Sequence, residues 1–443
     1  MDATVASAWV FTLAGVPMTQ ERVVVESTDV DEGCALVAMR YSTVCGSDLH
    51  TISGARVDPS APLILGHEGV GIVERVGKSP PLAWIVEDGL PLTRRPLATG
   101  DAVTWGIATS CGECDACTSW DVPQKCASAL KYGHAPWKSP SGSAGPASLS
   151  GTYATHVMLR RGSAVVVLPQ SLRADMRLAA PLNCALATMV SALRASVTAV
   201  AARAATPARA RVAVIQGAGM LGVYAVALLK HYSRLVDGAA PPVAWHVIAT
   251  DISPTRLALA TRFGADAVVN TAALDDAAAC AAIDKAVAEL QQISAGAETT
   301  LSQAAAVARD ASLPHTPAAA PRVFPPADLV VEVCGVAAVL AQGLRLLRPG
   351  GEYVLVGLVH PASAFPAAVT AEALIRRCAT VRGVHNYAPR DLVGAVQFMA
   401  ATIAALPFAD LVSNPCALST MQPDALQLAH TGQYQRVCID CQH

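Results

Sequence analysis

The sequence predicts an α/β protein of two domains, one built on a doubly wound parallel sheet and the other mostly antiparallel β. Three observations carry that expectation. The segment 211–230, RVAVIQGAGMLGVYAVALLK, is an apolar β run that passes through Gly217-x-Gly219-x-x-Gly222 into an apolar helix. Further apolar β runs at 267–270, 328–333, 352–357 and 379–384 alternate with helical stretches, the pattern of a doubly wound sheet. Residues 1–40 instead carry short, partly β-branched runs (22–25, 35–38) split by polar and glycine-containing turns, which reads as antiparallel strands. At 443 residues the chain exceeds the usual span of one hydrophobic core, so two domains are expected.

Composition excludes several function classes. The charge is near balance, 32 Lys plus Arg against 34 Asp plus Glu, and the longest basic runs are the pairs Arg94-Arg95, Arg160-Arg161 and Arg376-Arg377. Nucleic acid is therefore not an expected partner. No apolar run reaches the ~18 residues that span a bilayer, and the N-terminus lacks a basic stretch followed by an apolar core, so a soluble, unexported, cytoplasmic protein is expected. Thirteen cysteines lack the density of a disulfide-stapled secreted domain, and four of them cluster at metal spacing, which fits a reducing compartment.

Taken in order, the first chemistry-bearing stretch is 41–73, YSTVCGSDLHTISGARVDPSAPLILGHEGVGIV. Cys45 and His67 are donors that zinc prefers, and a catalytic zinc takes three protein ligands and leaves a position open. The competing reading is that one thiol and one imidazole in a glycine-rich loop are packing residues. Ser47 and His50 stand at the spacing expected of a hydroxyl that passes a proton to an imidazole nearer solvent, a relay suited to alcohol oxidation. A strand follows at 72–76, then a surface loop over 79–99 that returns to a strand at 100–103. Trp105, just before the next motif, is a candidate wall for a pocket.

In CGECDACTSWDVPQKC, Cys111, Cys114, Cys117 and Cys126 stand at spacings of two, two and eight residues, with Gly112 at the knuckle. Four thiolates so close match a closed tetrahedral zinc site that stabilises a lobe. Disulfides and an iron–sulfur cluster are the alternatives, although the spacing matches neither common ferredoxin run. Residues 135–150, rich in Pro, Ser and Gly, read as a loop, and 151–168 as strand. A helical segment from Ala174 leads into AAPLNCALATMVSALRAS, where Cys184 is the candidate third ligand for the first site. Its competing reading is a small core residue.

The glycine motif at 217–222 is made specific by its place between a strand and a helix and by the following strand, WHVIATD, which ends in Asp251. This is the Rossmann arrangement: the glycines let backbone approach a pyrophosphate, and the carboxylate accepts adenosine ribose hydroxyls, which favours NAD over NADP. Candidate cofactor contacts are Gly217, Gly219, Met220, Leu221, Gly222, Asp251 and Arg256. An insertion at 231–244 lengthens the interval to Asp251. A second, Ala-rich insertion fills 271–326, partly helical and not helical at 314–326. An amphipathic helix is expected at 390–406. Cys438 and Cys441, in the terminal VCIDCQH, read as incidental.

Together, CGSDLH, GHEGVG, the four-cysteine knuckle and GAGMLG ahead of Asp251 resemble the zinc-dependent medium-chain alcohol dehydrogenases, in that family's order. The resemblance spans nearly the whole chain outside the insertions at 79–99, 135–150, 231–244 and 271–326. It implies a GroES-like catalytic domain at 1–185, with a structural-zinc lobe at 111–126, a coenzyme domain at 186–385 and a return to the catalytic domain at 386–443. It implies a catalytic zinc held by Cys45, His67 and Cys184, with Glu68 beside it as an exchanging or supporting group, and a structural zinc held by the four cysteines. It also implies NAD, a Ser47–His50 relay, a small-molecule alcohol or polyol substrate, and a homodimer or homotetramer. The alternatives are a catalytically silent NAD-binding protein and a metal-free quinone or enoyl reductase of the same fold. Two departures stand out: Gly151-Thr-Tyr153-Ala-Thr155-His156 lacks the family's glutamate, and one extra residue precedes Cys126. The runs at 357–361 and 381–392 resemble a branch proposed to act in phosphonate catabolism.

Overall fold

The computed structural model describes residues 3–55, 61–137, 145–202, 210–231, 244–302, 327–359 and 364–443. The chain divides into two compact units, Met1–Ser191 with His385–His443, and Ala192–Val384. The expected irregular segment 314–326, part of the 135–150 loop and the end of the 357–361 run lie outside the described residues.

In the first unit, β1 (Thr4–Phe11), β2 (Thr19–Val25) and β4 (Leu63–Ile64) form a three-stranded sheet in the order β2-β1-β4. A nine-stranded sheet takes in β3 (Ala35–Val44), β5 (Gly69–Val76), β6 (Leu82–Ile85), β7 (Thr93–Pro96), β8 (Ala102–Trp105), β9 (His156–Leu159) and β10 (Val165–Val167). It is completed by two strands from the end of the chain, β17 (Cys416–Ala417) and β18 (Val437–Asp440). The order is β17-β18-β3-β5-β8-β10-β6-β7, with β9 also paired to β3, and most pairings are antiparallel. Strand β3 is the hub. It pairs β5 along its length, β9 at its start and β18 at its end, so the residue that follows it, Cys45, is held by the sheet. The core under these strands is filled by Phe11, Leu36, Met39, Trp105, Tyr132 and Tyr153.

The second unit contains six parallel strands, β11 (Arg211–Gln216), β12 (Trp245–Asp251), β13 (Ala267–Asn270), β14 (Ala327–Glu332), β15 (Leu347–Leu355) and β16 (Thr380–Gly383). Their order, β13-β12-β11-β14-β15-β16, is the 3-2-1-4-5-6 order of the dinucleotide-binding doubly wound sheet. Strand β11 is apolar on both faces, as a strand covered by helices on both sides must be. Val212, Val214, Ile248, Val330, Leu346 and Tyr353 pack in its core.

Three expectations are corrected. The stretch 79–99 is not a plain surface loop, because β6 pairs β10 in parallel and β7 in antiparallel fashion. Its strand signal is hidden by charge: β7 is a fully exposed edge strand, where Arg94 stacks 4.3 Å from the Trp84 ring and Arg95 chelates Asp101. The strand expected over 151–168 is two strands, β9 and β10, separated at Gly162, whose φ of +83° suits glycine. The helical character before Cys184 begins at Gln170–Arg173, and the long insertion carries the helix Asp276–Ser302. The helix expected at 390–406 is Pro389–Thr402. Among the described residues, no single helix is long and apolar enough to cross a membrane.

The glycine turn shows why its residue types are fixed. A Cβ on Gly222 would lie 1.8 Å from the Gly217 carbonyl oxygen, backbone against backbone with no side chain to move aside. Gly222→Ala should therefore destabilise the protein by on the order of 3 kcal/mol in urea unfolding, and a loss below about 0.5 kcal/mol would contradict this packing.

Candidate metal centre and dinucleotide turn

Cys45 ends the run out of β3 and precedes the short helix Gly46–Ile52, with its N–H donating to Asp48 Oδ2 at 3.0 Å. His67 and Glu68 occupy the turn between β4 and β5. Gly66, at φ +82°, lets that turn pass Thr152, whose Oγ1 would lie 2.4 Å from a Cβ. Cys184 sits in a π-helical turn, Leu182–Leu186, just before the helix Ala187–Ala202. Such turns widen a helix locally and often mark functional sites. One donor atom from each of Cys45, His67, Glu68 and Cys184 lies within 4.8 Å of the others. The site is largely buried: His67 and Glu68 are 1% and 0% exposed, while Cys184 is partly exposed.

Its electrostatics are balanced locally. Asp48 Oδ1 stands 3.3 Å from His67 Nδ1, a charge contact rather than an aligned hydrogen bond, while Tyr153 OH donates to Asp48 Oδ2 at 3.1 Å. Arg436 grips Glu68 through Nε at 3.0 and 2.8 Å and Nη2 at 2.9 Å, and Nη2 also reaches Cys45 Sγ at 3.4 Å. Thr43 Oγ1 donates to the other side of the Glu68 carboxylate. The Cys184 thiol beside it holds Cys45 well below the usual thiol range against the pull of burial, with Arg436 and His67 assisting. Cys184 is pushed up in turn by that shared hydrogen bond and by burial. Burial would lower His67, but Asp48 and the Cys45 thiolate outweigh it and raise it to about 10. Burial pushes Glu68 up to about 7 against the pull of Arg436.

Two histidines and a serine complete the surroundings. Ser47 Oγ lies 3.5 Å from His67 Nε2, and His50 stands in the last turn of the same short helix. The His134 ring is 5.7 Å from that of His67, and its Nδ1 faces the Tyr132 carbonyl at 3.1 Å. Burial first, then Lys131 and His67, lower His134 to about 3. Trp105 is fully buried, edge-on to Tyr132 at 6.4 Å, and so belongs to the core under the site.

The four cysteines form a second donor cluster. Sγ separations are 3.9 Å for Cys111–Cys117, 3.6 Å for Cys114–Cys117 and 3.9 Å for Cys114–Cys126. A disulfide needs about 2.05 Å, whereas four sulfurs at roughly 2.3 Å from one ion stand roughly 3.8 Å apart. Backbone N–H groups of Glu113 and Cys114 point at Cys111 Sγ, and that of Cys111 at Cys126 Sγ, the donor environment a thiolate needs.

In the second unit, β11 ends at Gln216 and the helix Met220–His231 starts four residues on, with Gly217 at φ +107° and Gly219, Met220, Leu221 and Gly222 forming the turn. Asp251, at the end of β12, accepts from Ala218 N at 2.8 Å and from Ser253 N at 2.9 Å. This ties the acid to the glycine turn. Arg256 Nη1 lies 4.0 Å from Asp251 Oδ2.

The residues proposed from sequence for the first centre, Cys45, Ser47, His67, Glu68 and Cys184, thus share one locus, and Asp251 meets the glycine turn. Asp48, Asn183, Tyr387 and Arg436 were not singled out. Asp48 stands inside CGSDLH and could have been read as the partner of a histidine. Arg436 has no local signal, since 368 residues separate it from Glu68 and the β18–β3 pairing, with a backbone bridge from Arg436 to Val412, brings it there.

Residues 31–170 match the alcohol dehydrogenase GroES-like domain. The chain is 27% identical over 414 residues to a 5-exo-hydroxycamphor dehydrogenase from Pseudomonas putida, covering 93% of both chains. The chain thus carries an alcohol dehydrogenase GroES-like domain and is similar to a dehydrogenase over nearly its whole length. An alcohol dehydrogenase from Geobacillus stearothermophilus is 30% identical over 249 residues, which is 56% of this chain and 58% of that relative. Among solved structures, an alcohol dehydrogenase from Thermotoga maritima shares the fold at TM-score 0.72 and 24% identity, with 99% of each chain covered. Benzyl alcohol dehydrogenase from Acinetobacter calcoaceticus shares it at 0.68 and 20%, again over 99% of each.

The Arg436–Glu68 pair is buried on both sides, so removing one partner strands the other charge. Arg436→Met should cost about 3 kcal/mol or more in chemical unfolding of the metal-free protein, with Glu68→Gln recovering much of it in the double variant. Additive losses would show that the pair carries no coupling.

Proposed function

We propose that the chain is a zinc-dependent oxidoreductase that moves a hydride between a primary or secondary alcohol, or a polyol, and NAD. The observation that carries this reading is the convergence of Cys45, His67, Glu68 and Cys184 from three distant segments on one buried locus. Two thiols, an imidazole and a carboxylate are the soft and borderline donors that zinc takes, and a set of three leaves a position for substrate. The four-cysteine lobe, with sulfur spacings of a tetrahedral site, would hold a second, structural zinc. The P. putida relative is named for a hydroxycamphor, which agrees with an alcohol as the substrate class.

When bound, a zinc at the first centre polarises a substrate oxygen and lowers its proton affinity, and NAD takes up the hydride. The chain's own residues supply the rest. Ser47, whose Oγ is 3.5 Å from His67 Nε2, would accept the substrate's proton and pass it through the cofactor ribose to His50. Asp48 orients His67, and Arg436 offsets the negative charge that Cys45 and Glu68 bring into a largely buried site. Asp251, held beside the glycine turn by Ala218 N, accepts ribose hydroxyls and repels a 2'-phosphate, which favours NAD.

The test is metal content with turnover. The purified chain should hold two zinc ions and reduce NAD with an alcohol or polyol. Cys45→Ser should lose one zinc and all measurable turnover while still binding NADH. Turnover that survives Cys45→Ser would point to a metal-free reductase, and a protein with one zinc and no turnover to a silent NAD-binding protein.

A further inference from the structure

We propose that Asn183 and Tyr387 are positioning residues that set Cys184 against His67 and Cys45, a reading that rests on the zinc role proposed above for those three. The need for such a device follows from where Cys184 sits. In its π-helical turn the Ala187 N–H reaches back to the Leu182 carbonyl, so the geometry of an ordinary helix does not fix the direction of the Cys184 side chain.

Asn183, its neighbour, is fully buried, and its side-chain Nδ2 donates to the His67 carbonyl at 3.1 Å and to the Trp105 carbonyl at 2.9 Å. One side chain thus ties the π-turn both to the main chain of a donor residue and to the end of β8. The orientation of the amide is not in doubt, since exchanging its ends would set an oxygen against two carbonyl oxygens. Its Oδ1 is left buried with no protein partner. An apolar residue would fill the same space without that cost of roughly 1–3 kcal/mol, so the amide is there for its two donors.

The main-chain carbonyl of Asn183 is held as well. It accepts from Tyr387 OH, which in turn accepts from Ile107 N at 3.1 Å. Tyr387 is 5% exposed and stands two residues after His385, where the chain re-enters the first unit. The π-turn is therefore clamped by three segments: the turn that carries His67, the stretch 105–107 after β8, and the C-terminal return. None of Asn183, Tyr387 or Ile107 offers a donor atom to the cluster itself. Their effect on the centre passes through the place of the Cys184 thiol and the His67 backbone.

The experiment uses the full chain, stripped of metal and reloaded, with the four-cysteine lobe as an internal control. Zinc affinity at each centre is measured by chelator competition, and cobalt(II) loading reports sulfur ligation through its charge-transfer absorption. Tyr387→Phe, which keeps the ring and removes both hydrogen bonds, should weaken zinc at the Cys45–His67–Cys184 centre about 10-fold, leave the lobe unchanged and alter the cobalt spectrum of the affected centre. Asn183→Ala should do the same or more. If Asn183→Ala fails to fold, Tyr387→Phe carries the test alone. Wild-type affinity and an unchanged cobalt spectrum in a folded Tyr387→Phe, even with a lower thermal midpoint, would reduce the brace to ordinary stability and overturn the proposal. A wild-type chain that binds metal only at the lobe would instead overturn the zinc role on which it rests.

Discussion

Two thiols, a carboxylate and an imidazole share a largely buried site, and that arrangement is tolerable because charge is matched locally. Arg436 faces Glu68 with two nitrogens and touches Cys45 with one of them, while Asp48 faces His67. Without the arginine, Glu68 and Cys45 would lose the guanidinium that faces them both, at a cost of several kcal/mol. The rest of the first unit can be read as the means of bringing these partners together. Strand β3 delivers Cys45 at its end, β5 follows Glu68, and β18 runs beside β3 just after Arg436.

Much of this was legible in the sequence because the relevant signals are local. Cys45 and His67 announce themselves by type and by the glycines around them, and the four cysteines by spacing alone. The glycine turn is legible from its place between an apolar strand and a helix, and β11, β12 and β14 are buried as expected, whereas the outer strands β13 and β16 are largely half-exposed or exposed. What was not legible depends on contacts far apart in the chain. Arg436 has no motif, and nothing near it distinguishes it from a surface arginine until β18 pairs with β3. Asn183 reads as a polar residue at the mouth of an apolar helix. Its role emerges only when its amide is seen to bridge two carbonyls. The hairpin of β6 and β7 was missed for a different reason, since an edge strand carrying Thr93, Arg94, Arg95 and Pro96 has no apolar face to betray it.

The second unit illustrates a complementary constraint. Its glycines are required by backbone crowding, most plainly where Gly222 meets the Gly217 carbonyl, and Asp251 is fixed by the N–H groups of Ala218 and Ser253 rather than by any side chain. A carboxylate held in this way keeps its place whatever the neighbouring surface residues are, and oxygen lone pairs remain to take ribose hydroxyls.

The proposed role of Cys45, His67 and Cys184 as ligands of one ion, with Glu68 beside it, is tested most directly by X-ray absorption at the zinc edge of the fully loaded protein. The account predicts two zinc ions per chain and an averaged shell of roughly three sulfurs at ~2.3 Å and one nitrogen or oxygen at ~2.0–2.1 Å per ion, the mean of an all-sulfur site and a mixed one. A single zinc with a pure four-sulfur shell would contradict it.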